Sequence, residues 1–197
     1  QSAVQNQYKK TNPFHSAFFA KCLERANFTF DNSIPSLLSV DSIKGTNLSL
    51  SSSTWTVKEC IGEGSSSKIF FCSRGTDEAA LKIQSPSNPW EFYILSKLHS
   101  SNSLRCKDLI LKPLDFVSYK NCSLLFLEHI QSGTLLDCIN TYLARKESIS
   151  EIVVIYLLME ILKALNEIHS SGIIHADLKC ENILITDDID LPAVKIF

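Results

Sequence analysis

The sequence carries no strong charge of either sign, no cysteine pair at metal or redox spacing, and no apolar run of membrane-spanning length. Its 197 residues have a formal net charge of −2. That balance excludes a nucleic-acid or membrane surface held by bulk electrostatics, so neither direct nucleic-acid binding nor a membrane role is expected. The seven cysteines (22, 60, 72, 106, 122, 138 and 180) are scattered and never form C-x-x-C. An odd, irregularly spaced set argues against a disulfide framework and a zinc site, and for a reducing compartment. Gln1 opens the chain without a charged-then-apolar leader, so no signal peptide is expected. Asn27, Asn47 and Asn121 each begin an N-x-S/T triplet. Without a secretory context these read as chance matches. The chain starts without Met and stops at Phe197 inside what reads as a strand, as a piece of a longer protein would.

What is present fits a globular chain, with 45% hydrophobic and 20% charged residues. The length suits one large domain or two small lobes. Residues 1–11 are polar, and Pro13 to Leu23 mixes aromatics with helix formers as a short helix would. Residues 24–54 have no steady period, and their scattered Leu, Ile and Phe suggest a segment draped over a domain. From Trp55 the pattern changes to W-T-V-K-E-C-I, then a Gly-containing turn at 62–67, then K-I-F-F-C at 68–72. Strand, turn, strand predicts an antiparallel hairpin. A turn over 74–78 leads into a third strand, A-A-L-K-I at 79–83.

Asn88-Pro89-Trp90-Glu91 reads as a helix start, with Asn88 as cap and Pro89 in the first position. Ile94, Leu95 and Leu98 then follow at helical spacing. Two further strands are expected over 109–117 and 123–129. A short helix is expected from Leu135 to Leu143. A capping box of Ser148 and Glu151 would open a long apolar helix through Ile168, carrying Ile152, Ile155, Met159, Leu162 and Leu165. Gly172 would end it. A polar loop between I-I and I-L-I comes next, and A-V-K-I-F (193–197) closes as a strand. There is no internal repeat. The whole reads as α+β: five strands with one inserted helix, then a helical part.

Three features carry chemistry. Gly62 and Gly64 would let a backbone approach phosphate oxygens. G-x-G alone is weak and by itself better suits an ordinary hairpin turn, and Ser67 stands where a third glycine would complete the longer motif. Ile69 fills the aliphatic position that follows. Lys82 lies in an apolar strand, where an ammonium is costly unless paired or reaching solvent. Glu91 shares the inward helix face with Ile94, Leu95 and Leu98, which makes it a partner for Lys82; capping its own helix is the competing reading. Finally, H-A-D-L-K-C-E-N (175–182) sets Asp177 to orient a hydroxyl, Lys179 to neutralise a phosphoryl group, and the Asn182 amide oxygen to meet Mg²⁺. The spacing H-x-D-L-x-x-x-N is long and specific. On this reading the apolar flanks are walls that pre-position the loop.

In this order, Gly62–Gly64, Lys82, Glu91 and His175–Asp177–Asn182 resemble a eukaryotic protein kinase, over about residues 55–197. N-P-W-E-F-Y-I (88–94), S-G-T-L-L-D-C-I-N (132–140) and N-P-F (12–14) are similar to the Bub family of mitotic spindle-checkpoint Ser/Thr kinases. The resemblance implies a two-lobe fold: an extension over 1–54, an N-lobe and hinge over 55–130, and a partial C-lobe over 131–197. It implies ATP and Mg²⁺ as cofactors. Asp177, Lys179, Lys82 and Glu91 would be catalytic, with Asn182 at the metal. Ile61, Gly62, Gly64, Ile69, Ala80, Lys82 and Leu127, the gatekeeper, would line the ATP site. Glu128 and Ile130 would offer backbone groups to adenine. It also implies protein substrates (a histone tail and checkpoint proteins), kinetochore partners, and a nuclear, kinetochore and cytoplasmic location. Ala176 stands where the family at large has arginine, which predicts little dependence on activation-loop phosphorylation. The chain stops before the D-F-G motif, so this stretch alone is expected to be inactive and to expose apolar surface. A pseudokinase scaffold, or an ATP sensor without transfer, is the competing expectation.

Overall fold

The structure is a computed structural model and describes residues 43–50, 53–100, 107–119, 122–186 and 193–197. The helix expected at Pro13–Leu23 and the extension through residue 42 lie outside the described residues. The chain divides into two compact units. One takes in the described residues of Gln1–Ile94 with Leu114–Phe126; the other takes in those of Leu95–Pro113 with Leu127–Phe197.

The first unit is built on a six-stranded sheet in the order β1-β2-β3-β4-β6-β5. Strand β2 (Ser53–Glu63) alternates as its sequence requires, burying Trp55 and Val57 and exposing Thr54 and Lys58. It pairs antiparallel with β3 (Ser67–Arg74), with register shifts between Val57 and Gly62. β3 turns back into β4 (Asp77–Gln84) through Gly75, whose φ of +60 glycine adopts at little cost. The Arg74 guanidinium donates to Asp77 Oδ2 at 2.9 Å and lies 4.7 Å over the Trp55 ring. Phe70, Cys72, Ala79, Leu81 and Ile83 point inward to a core that Leu124 and Phe126 of β6 (Ser123–Glu128) complete.

The sixth strand is a departure from the five expected. β1 (Asn47–Leu50) pairs antiparallel with the start of β2. Behind it, Ile43 is buried in the core, and Val57 exchanges backbone bonds with Gly45 and Thr46. N-L-S-L alternates over only four residues, too few to stand out in a Ser- and Asn-rich stretch.

Helix α1 (Trp90–Ser100) starts as its sequence signals: Asn88 Oδ1 accepts from the Trp90 N–H at 3.1 Å. The strand expected over 109–117 begins only at Pro113, as β5 (Pro113–Ser118). Proline lacks the N–H a ladder needs and is tolerated at a strand's first residue. The apolar residues before it go elsewhere: Lys107–Leu109 form a 3-10 turn, and Ile110 bridges in parallel to Ile196.

The second unit contains α2 (Leu135–Ala144), α3 (Glu151–Ser170) and the hairpin of β7 (Ile183–Thr186) with β8 (Ala193–Ile196). The capping box expected at Ser148 is not formed. The N-cap of α3 is Ser150, and its side chain makes no cap bond. The box instead opens α2, where Thr134 and Asp137 bond reciprocally. T-x-x-D is the same motif with a shorter acid, which is why the Glu/Gln pattern passed over it. α3 ends in a Schellman motif: Ile173 N–H donates to Ile168 O, Gly172 N–H to His169 O, and Gly172 has φ +71. Leu157, Ile161, Ala164 and Ile168 are buried, whereas Ile152, Ile155, Met159 and Leu162 are exposed. No helix among the described residues is long and apolar enough to cross a membrane.

Candidate functional site

The candidate residues fall into two sets, one in each unit. In the first, the β-ladder sets Gly62 opposite Ile69 and Ile69 opposite Lys82, a single row across three strands. Ile61 is exposed, and Ala80 and Ile69 are half-buried on the same stretch of sheet. The Lys82 ammonium donates to Glu91 Oε2 at 2.7 Å and Oε1 at 3.0 Å. Of the two readings of Glu91, the pairing is therefore the one present. An alternating strand supplies the lysine, and the first turn of α1 supplies the acid.

Gly62 and Gly64 are not required by the hairpin itself. Neither has a positive φ. An added Cβ would meet Ile69 Cδ1 at 3.5 Å or Ser67 Oγ at 3.4 Å, both ordinary contacts. Gly133 differs, with φ +80 and a Cβ position 3.0 Å from Asp137 Oδ2.

In the second unit the H-A-D-L-K-C-E-N loop is closed by its own polar groups. Asn182 Nδ2 donates to the Asp177 carbonyl at 2.8 Å and to Asp177 Oδ2 at 3.0 Å. Lys179 Nζ lies 3.2 Å from Asp177 Oδ2. The Lys179 hydrogen bond, and next that of Asn182, hold the Asp177 carboxyl below its ordinary range. Asp177 is thus a carboxylate at neutral pH: an acceptor suited to orienting a hydroxyl rather than a strong base. His175 anchors the loop from behind. Its Nδ1 faces the Asp177 N–H at 3.3 Å, and its Nε2 the Phe197 carbonyl at 2.6 Å. Because a carbonyl only accepts, Nε2 carries the proton and Nδ1 accepts. Ala176 has φ +63, a left-handed conformation unfavourable for a side chain with Cβ. The flanks are only partly the core expected: Ile183 and Ile185 are buried, but Ile174 is 80% exposed.

Asn182 turns its amide nitrogen to Asp177, and among the described residues its Oδ1 accepts no hydrogen bond. A hard cation such as Mg²⁺ takes oxygen ligands, keeps several waters and accepts phosphate oxygens, so one or two protein oxygens suffice. The donor chemistry fits, although no group of three or more His, Cys, Asp and Glu gathers among the described residues.

Leu127 is buried, and Ile130 is half-buried. The Glu128 N–H donates to Lys112 O at 3.0 Å. The Glu128 side chain is tied as well, to Lys195 Nζ at 2.7 Å and to the Lys112 N–H at 2.7 Å. Lys195 had no signal in the sequence, since its partner lies 67 residues away.

With the fold and both sets of residues described, the class of protein follows. The chain belongs to the protein kinase family, whose domain model matches residues 55–197. Among its relatives, the mitotic checkpoint serine/threonine-protein kinase BUB1 of Arabidopsis thaliana is 35% identical over 136 residues, covering 66% of this chain and 26% of that protein. The spindle assembly checkpoint serine/threonine-protein kinase BUB1 of Saccharomyces cerevisiae is 34% identical, covering 64% of this chain and 13% of that protein. The chain thus spans about a quarter or less of these relatives. The crystal structure of the BubR1 kinase domain shares the fold, with a TM-score of 0.77 at 24% identity, covering 94% of this chain and 59% of that one. The α+β protein-kinase fold expected from the sequence is the fold found.

Proposed function

We propose that the chain is part of a Ser/Thr protein kinase of the mitotic spindle checkpoint, which transfers the ATP γ-phosphate to protein Ser or Thr hydroxyls. The observation that carries this is the Lys82–Glu91 pair, in a strand row shared with Gly62. An ammonium half-buried on a sheet contributes little to stability, and its value lies in being held at a fixed point for phosphate oxygens. Glycines that the hairpin does not itself require support the same reading, because they leave room for a ligand to approach the backbone.

The remaining roles follow from chemistry. Lys82 steadies the phosphates, and Glu91 orients Lys82. Ile61, Ile69, Ala80 and Leu127 form apolar surface for the base, while the Glu128 carbonyl and the Ile130 N–H read its edge. Asp177 accepts the hydrogen bond of the substrate hydroxyl and aims its oxygen. Lys179 lies beside it, placed to offset charge developing on the transferring group. Asn182 offers Oδ1 to Mg²⁺. Bound Mg²⁺ would neutralise phosphate charge. We assign residues 1–54 to an extension, 55–130 to the N-lobe and hinge, and 131–197 to part of the C-lobe. Checkpoint proteins and a histone tail are the proposed substrates, at kinetochores in the nucleus and in the cytoplasm.

Calorimetric titration of the chain with Mg·ATP tests the reading. Binding is expected, with Lys82→Met weakening it at least tenfold and Asp177→Asn changing it little. A chain that ignores Mg·ATP would sink the proposal. A protein containing this chain that binds ATP and checkpoint partners yet transfers no phosphate would favour a scaffold, a reading that Ser67 in place of the third glycine mildly supports.

A further inference from the structure

We propose that Glu128 and Lys195 form a positioning pair that fixes the backbone of residues 128–130. The inference rests on the reading of that segment as the one that meets adenine. The Glu128 carboxylate is fully engaged: Oε1 accepts from Lys195 Nζ and from the Lys112 N–H, each at 2.7 Å, and Oε2 accepts from Lys195 Nζ at 2.9 Å. The Glu128 N–H in turn donates to Lys112 O at 3.0 Å. Residue 128 is thereby bonded to residue 112 twice and to strand β8 twice. The two side chains are only 17% and 23% exposed, so solvent competes weakly for these bonds.

The location gives the cluster its purpose. Lys112 lies at the end of the stretch Leu95–Pro113, just before the chain passes to Leu114 of the first unit, and Glu128 just after it returns at Leu127. Lys195 stands two residues before Phe197, whose carbonyl bonds His175 and whose N–H donates to Asn182 O. One carboxylate thus ties the start of the 128–130 segment to the strand that anchors the catalytic loop. An ion pair this buried yields little net stability, but it selects one geometry. A backbone held before ligand arrives spares the ordering cost on binding. Glu128 therefore acts through its neighbours and is a positioning residue, with Lys195 as its counter-ion.

The test uses the 197-residue chain, with amide exchange measured in the nucleotide-free protein and Mg·ATP affinity measured by calorimetry. Lys195→Met is expected to speed exchange at the Lys112 and Glu128 amides and to weaken Mg·ATP about five- to tenfold. Lys195→Arg, which keeps a donor cation, is expected to recover most of both. If Lys195→Met loses helical signal by circular dichroism, Glu128→Gln carries the same comparison, because it keeps an oxygen for Lys112 and drops the charge facing Lys195. Wild-type protein that fails to bind Mg·ATP overturns the proposed function. Wild-type protein that binds, with variants of equal or higher affinity and unchanged exchange, overturns the positioning pair.

Discussion

Each unit contains a lysine–carboxylate pair among its candidate residues, and the two pairs are built differently. Lys82 and Glu91 come from a strand and a helix, meet at 2.7 Å and are 14% and 22% exposed. Lys179 and Asp177 lie two residues apart in a loop, meet at 3.2 Å and are 48% and 69% exposed. Regular elements fix the first pair, and water cannot readily replace either partner. The second is open to solvent and salt, so its attraction is weak and its carboxylate stays accessible. A charge enclosed in secondary structure is held in place; a charge left in a loop stays accessible to solvent. The loop is held instead by the backbone, through Asn182 and His175.

The largest expected effect would break this contrast if absent. Glu91→Ala takes the carboxylate away from a half-buried ammonium and should lower the stability of the chain by roughly 2 kcal/mol, less than for a fully buried pair. Lys82→Met strands the Glu91 carboxylate in the same way and should cost a comparable amount. Lys179→Ala in the exposed pair should cost less than about 0.5 kcal/mol. Urea denaturation of the three variants decides it: similar losses in all three would mean that enclosure does not distinguish the pairs.

A smaller effect sharpens the same point within the second unit. At the start of α2, Thr134 and Asp137 satisfy one another, whereas at the start of α3 the Ser150 side chain makes no cap bond. Thr134→Ala should therefore cost about 1 kcal/mol and Ser150→Ala almost nothing. Equal losses in thermal unfolding would show that the hydroxyl bonds do not set helix-start stability here.

The sequence revealed most where local chemistry decides structure. Asn88-Pro89, the alternation of β2 and Gly172 at the end of α3 each act through bonds to near neighbours. The H-x-D-L-x-x-x-N loop was legible for the same reason, since Asn182 reaches Asp177 within five residues. What stayed hidden is either too short to show a period or depends on a distant partner. β1 has only four alternating residues, although its partners in β2 lie close by in sequence, and the apolar residues before Pro113 bond to a strand 85 residues on, from Ile196 back to Leu111. The sequence also showed α3 as apolar without showing which side is buried: Ile152 and Ile155 are exposed, while Leu157 and Ile161 are covered.

The smallest effect is a titration. The Asp177 carboxyl is held below the ordinary value of 3.8, first by the Lys179 hydrogen bond and next by that of Asn182. A depressed folded value means that the carboxylate favours the folded loop above about pH 3.8 and loses that contribution as pH falls through the lower, folded value. Because the Asp177 side chain is mostly exposed to solvent, the consequence is a shift in its own titration rather than a change in global stability. Following the Asp177 carboxyl carbon by NMR from pH 6 downward, Lys179→Ala should move the midpoint up toward 3.8, and Asn182→Ala should move it up by less. A midpoint indifferent to Lys179 would mean that the loop carboxylate is set by the backbone alone, and the contrast between the two pairs would then rest on exposure without electrostatics.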